Sequence, residues 1–149
     1  MKTIHWALIA LLIAQSPCFA QTAKKIPVAV SHTGHDEVGR AVALSLKEAI
    51  RGSQSFILVE HEPLLPPAAR IRVNLVSTDN SLGEGLSSAI AIIFLYDSPV
   101  APGNGIYITT SVMHCARDRV ESCAKRTLPE IDQAVAYLRK SIPSLWKNL

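Results

Sequence analysis

Two short stretches concentrate the residue types that do chemistry. The first, Ser31–Glu37, reads Ser-His-Thr-Gly-His-Asp-Glu and places His32, His35 and Asp36 within five positions. Such a set can share a proton as an acid–base pair or supply part of a metal site. It follows an apolar run and precedes a helical pattern, and in α/β units that junction often contacts ligands. A turn with Asp36 as helix N-cap accounts for the same residues without any chemistry. The second stretch, His114–Cys123, sets two cysteines eight positions apart, with a histidine beside the first. As zinc ligands, His114, Cys115 and Cys123 would need His32 or His35 as a fourth, and the spacing fits no compact zinc pattern. A redox pair would show Cys-x-x-Cys. A disulfide remains, provided no helix spans the interval: eight helical residues separate Cα atoms by about 12 Å, and a disulfide tolerates about 7 Å. Asp118 followed by Glu121 reads as a helix start. Cys115 therefore ends a strand, and Cys123 returns on a helix.

Compartment supports the disulfide. Met1-Lys2 is followed by the uncharged run Trp6–Ala14, then by Pro17 and Ala20. This is the layout of a cleaved signal peptide, residues 1–20, and residues 21–149 form one small domain. The apolar run falls short of the roughly 20 residues of a membrane span. Cys18 offers a lipid-attachment alternative, although Gln15, Ser16 and Pro17 fit that pattern poorly. Removing residues 1–20 takes away Lys2 and no acid, so the net charge falls from +3 to +2. That balance does not point to nucleic acid. Export and an even cysteine count favour oxidised sulfur.

The elements follow from periodicity. Ile26–Ser31 reads as a strand. Asp36 caps a helix from Glu37 to about Arg51, with Val38, Ala41, Val42, Ser45, Leu46, Ala49 and Ile50 as its inner stripe and Gly52 at its end. Ser55–Glu60 is a second strand. Arg70–Leu75 alternates, with Ile71, Val73 and Leu75 inward and Arg70, Arg72 and Asn74 outward. The polar stretch from Ser77 to Ser87 reads as a loop. Ser88–Tyr96 is apolar on both faces and is expected at the sheet centre. Gly105–His114 is a fifth strand after a turn-rich loop. Thr127 with Glu130 reads as a second capping box opening a helix to Ser141, which Pro143 stops, with Trp146 laid on the core. The predicted fold is an α+β two-layer sandwich. Its mixed five-stranded sheet runs β-α-β-β-β-β-α, with the first β-α-β unit parallel, the remainder an antiparallel meander, and the helices on one face.

The strand Val28-Ala29-Val30, the helix Val38–Ile50, the run Ser53–Glu60 and the alternating strand after it resemble the amino-terminal domain of TolB and the CsgG- and LpoB-like envelope modules. The likeness covers Val28–Val76. It implies a bacterial envelope α/β module that binds other proteins, and it carries no functional residue across.

No Walker loop, G-x-G-x-x-G or G-x-S-x-G motif occurs. Arg117, Arg119, Lys125 and Arg126 form a modest basic patch of the kind usually found as solvated surface. The expected function is an exported, periplasmic, non-enzymatic binding or adaptor domain with no cofactor. Its partner is another envelope or secreted protein, met through the face of Arg70, Arg72 and Asn74 or through a sheet edge. The alternatives are a small hydrolase or metal-dependent enzyme using His32, His35 and Asp36, with His61 or His114 completing the site, and an inhibitor or immunity protein for an exported toxin.

Overall fold

A computed structural model describes residues 24–59, 69–80, 85–99 and 101–146. The proposed signal peptide, Cys18 and His61 lie outside the described residues, as does the side chain of Trp146.

Five strands form one sheet: β1 Ile26–Thr33, β2 Phe56–Leu58, β3 Arg70–Asp79, β4 Ser87–Ser98 and β5 Ala101–Ala116. Helix α1 covers Glu37–Arg51. A 3-10 turn at Arg117–Arg119 leads into α2, Val120–Ser141, and α3 spans Pro143–Trp146. The strand order is β2-β1-β3-β4-β5. β1 pairs in parallel with both β2 and β3, whereas β3–β4 and β4–β5 are antiparallel. The α+β sandwich with a mixed five-stranded sheet is therefore as expected.

Three details differ from the sequence reading. β3 does not lie beside β2; it inserts on the far side of β1. Val28, Ala29 and Val30 are all buried, and a strand apolar on both faces takes neighbours on both sides. β3 thus holds the centre, and β4 lies one strand from the edge. Four of the strands are also longer than expected, whereas β2 is shorter, three residues within the expected Ser55–Glu60. β3 runs through Ser77 to Asp79, and β4 and β5 are joined by a tight connection near Pro99. Finally, the two C-terminal helices are one. Thr127 opens no helix: it is fully buried inside α2 and donates its hydroxyl to the Cys123 carbonyl at 3.2 Å. Pro129 lies within α2, where it removes one helical hydrogen bond at a cost of about 3 kcal/mol. The stripe Ala124, Thr127, Ile131, Ala134, Val135 and Leu138 is buried throughout. Burial of Ile131, Val135 and Leu138, with Ala124 and Ala134 between them, outweighs one lost bond.

Both helices cover the same face. Val38, Val42, Leu46 and Ile50 of α1 and Ile131 and Leu138 of α2 share a core with Val28, Ile71, Leu75, Ile90, Ile92, Phe94 and Tyr96. α1 and α2 also pack on each other. The Tyr96 hydroxyl donates to the Leu145 carbonyl at 3.2 Å, which ties α3 down.

Cys115 and Cys123 are bonded, with Cα atoms 6.2 Å apart. Cys115 is fully buried at the end of β5, and the bond fixes the first turn of α2 to the sheet. We expect Cys115→Ala with Cys123→Ala to lower unfolding free energy by about 2–3 kcal/mol, the loop-closure value for so short a ring. Denaturant titration measures it; a midpoint equal to that of the unmodified chain would show that the bond adds nothing.

Candidate functional site

Asp36 organises the turn between β1 and α1. It adopts an extended conformation, φ −78° and ψ 143°, and its carboxylate accepts the Gly39 N–H at 2.7 Å, as a helix cap does. The same carboxylate accepts the Ser77 hydroxyl from β3 at 2.5 Å and the Ser88 hydroxyl from β4 at 2.5 Å. His32, at the end of β1, lies 2.6 Å from the Ser77 oxygen through Nε2. Because the Ser77 proton is committed to Asp36, Nε2 carries the imidazole proton and donates it to Ser77. The order along the chain of contacts is His32, Ser77, Asp36, Ser88.

A serine, a histidine and an aspartate thus meet, but in an arrangement unsuited to nucleophilic catalysis. There the histidine lies between the other two and takes the serine proton. Here the serine lies between, and its proton goes to the carboxylate. Ser77 is also walled in. A Cβ on Gly34 would stand 2.5 Å from the Ser77 carbonyl oxygen and 2.7 Å from its hydroxyl, and Gly34 has φ +148°, which favours glycine. A Cβ on Gly39 would collide with the Ser77 hydroxyl. Ser77 and Ser88 are 7% and 1% exposed, so no substrate carbonyl reaches either. The cluster pins the β1–α1 turn to two neighbouring strands.

Of the three acid–base candidates, the structure joins His32 and Asp36 and leaves His35 exposed, outside this network. His114 is exposed, paired with Ala89 across β4–β5. Among the described residues no group of three or more His, Cys, Asp or Glu could hold a metal. The zinc alternative also loses its thiolates, since Cys115 and Cys123 bond to each other. Nothing in the sequence marked Ser77 or Ser88 as partners of Asp36, because both lie in or beside a stretch that reads as polar loop.

The outward-facing triad of β3 is differently placed from its expected exposure. Arg70 and Asp97 are cross-strand partners, and Arg70 Nε donates to Asp97 Oδ2 at 2.9 Å. Arg72 Nη2 approaches Asp97 Oδ1 at 3.1 Å. The Arg70 side chain is only 10% exposed, so it serves the sheet rather than a partner. Arg72 and Asn74 are half-buried, and Asn74 accepts the Ser31 hydroxyl at 2.5 Å. In the basic patch, Arg117 pairs with Glu37 at 2.7 Å and Lys125 with Glu121 at 3.7 Å, as solvated surface charges do.

The helix-free face of the sheet is more apolar than its strand-3 residues imply. By register it carries Ala89, Ala91, Ile93 and Leu95 of β4, opposite His114, Val112, Thr110 and Tyr107 of β5. Val112 is 73% exposed and Tyr107 60%. Among the described residues no helix lies over this face.

No family model matches the sequence, and no curated protein matches it. Among solved structures the chain is similar to a PelC point-variant dodecamer from Paraburkholderia phytofirmans, at 12% identity and a TM-score of 0.46, over 74% of this chain and 87% of that one. A likeness of that degree transfers no site.

Two carboxylate and imidazole effects make the cluster pH-sensitive. Burial pushes the His32 imidazole below its ordinary value of 6.5; Asp36 opposes this and the Arg40 charge adds to it. Burial pushes Asp36 up, but hydrogen bonds from Ser77, Ser88 and the Gly39 N–H outweigh it and hold the carboxyl below its ordinary 3.8. Both groups bind protons more weakly in the folded chain. Their stabilising contributions are therefore complete above the unfolded values and are lost as pH falls through the folded ones. Thermal unfolding should show stability falling below about pH 6.5 and again below about pH 4. Asp36→Ala should cost about 2–4 kcal/mol at neutral pH, through the lost cap and two stranded hydroxyls, and should remove the lower step. A variant that retains both steps would sink this assignment.

Proposed function

We propose that the chain is an exported, periplasmic binding or adaptor domain without catalytic activity, held by one disulfide, and that its contact surface is the helix-free face of the sheet. The observation that carries the reading is the apolar stretch Ile93, Leu95, Tyr107 and Val112 on a face with no helix over it among the described residues. Contiguous exposed apolar surface on a small domain is characteristic of a partner site. The polar groups that an enzyme would require are instead spent on holding a turn. Among the described residues no helix is long and apolar enough to cross a membrane, and the Cys115–Cys123 bond suits an oxidising compartment. Asn74 and Arg72 border the apolar stretch and offer it polar contacts. Arg70 is a poor probe of binding, because changing it breaks a buried ion pair, and such a break costs about 3–5 kcal/mol.

Two measurements test the reading together. The chain exported from a bacterial host should begin at Gln21 and weigh two hydrogens less than its reduced form; a chain retaining residues 1–20, or carrying free thiols, would refute export with oxidation. A photoreactive residue at Leu95 should form adducts with another envelope protein, and one at Glu48 on α1 should not. Equal labelling from both positions, or none from Leu95, would remove the sheet face as the contact.

A further inference from the structure

The two edges of the sheet are unequal. β2 closes one side with three residues, whereas β5 closes the other with sixteen. Edge strands carry unpaired backbone N–H and C=O groups, and proteins usually protect them with charges, prolines, bulges or shortness. From Gly105 to Cys115, β5 has no charged residue and no proline. Its register shifts lie opposite Phe94–Leu95 and opposite Tyr96–Ser98, both toward the start of the strand. Beyond them, Thr109–Ala116 pairs with β4 residue for residue, and so presents a regular edge eight residues long. Val112 sits in the middle of that segment and, at 73%, is the most exposed large apolar side chain among the described residues.

We infer that this edge pairs with the same strand of a second copy, in antiparallel register about a two-fold axis at Val112. Among the described residues no strand pairs with this edge, and a strand would supply the backbone hydrogen bonds. The composition of β5 suits its own copy. A symmetric antiparallel pair sets each side chain opposite a residue of the same strand, and like charges directly opposite are destabilising; an uncharged strand meets no such penalty. The two-fold must also keep each residue on its own face of the joined sheet. Centring on Val112 does this, gives seven regular pairs before the bulge, and sets the exposed Val112 rather than the buried Met113 on the axis. Val112 then opposes its mate and Thr110 opposes His114 on the helix-free face, while Ser111 opposes Met113 on the other. The two sheets become one of ten strands. Seven paired residues bury less than the roughly 1,200 Å² of a stable interface, so the dimer forms reversibly and depends on concentration. It is independent of the reading of the sheet face given above.

Sedimentation equilibrium on the exported, oxidised chain, from low micromolar to millimolar, tests the inference. A reversible monomer–dimer equilibrium is expected. Val112→Lys should raise its dissociation constant about tenfold or more, while Leu44→Lys, exposed on α1, should leave it unchanged. Val112→Cys should form a covalent dimer under mild oxidation, and Val76→Cys, exposed on the same face but away from the edge, should not. If Val112→Lys loses its circular-dichroism signal, the cysteine pair decides alone. A chain that stays monomeric throughout, a dimer untouched by Val112→Lys, or a β5 edge that captures another protein's strand but never its own would each overturn the proposal. Adducts from Leu95 to another protein in an unsubstituted chain that stays monomeric would overturn the pairing and leave the sheet-face reading standing by itself.

Discussion

Burial of one side of a five-stranded sheet under two helices is the constraint on which everything else rests. Ile71, Leu75, Ile90, Ile92, Phe94 and Tyr96 are 0–1% exposed, and each such burial is worth about 1.5–3 kcal/mol. Two helices suffice for one face. Among the described residues no helix covers the second face, where β4 and β5 carry apolar residues.

The same constraint explains why polar groups gather at the β1–α1 turn. α1 has to begin where β1 ends and lie flat on β3 and β4. Asp36 caps the helix and takes hydroxyls from both strands, so one carboxylate fixes the helix against the sheet. His32 closes the group with its proton on Nε2. At the same end of the sheet, where Cys115 is the cross-strand partner of Ser88, Cys115 and Cys123 perform the equivalent task for α2. A half-buried carboxylate and a disulfide therefore anchor the starts of the two covering helices. Neither is left free for chemistry on a substrate.

How much of this was legible depended on whether the signal was local. α1, its cap and its end follow from residues within a turn of one another, and they appear as read. The pairing of Cys115 with Cys123 followed from the cysteine count, the expected export and a chain geometry that permits it. Thr127–Glu130 misled because its local pattern matches a helix start, while the amphipathic stripe running from Ala124 to Leu138 decides otherwise. Ser77 read as loop because nothing near it in sequence shows that Asp36 awaits its hydroxyl.

The sequence by itself determined the fold class, the number of strands, the inward face of β3 and the disulfide, since each depends on periodicity or on a short span of chain. The tertiary structure decided which strands are neighbours, that Arg70 and Arg72 turn to Asp97 instead of outward to a partner, and that His32 and Asp36 meet through a serine more than forty positions away. Those outcomes hinge on long-range register. Pairing β3 with β1 rather than with β2 sets which side chains meet, and no local pattern encodes that choice.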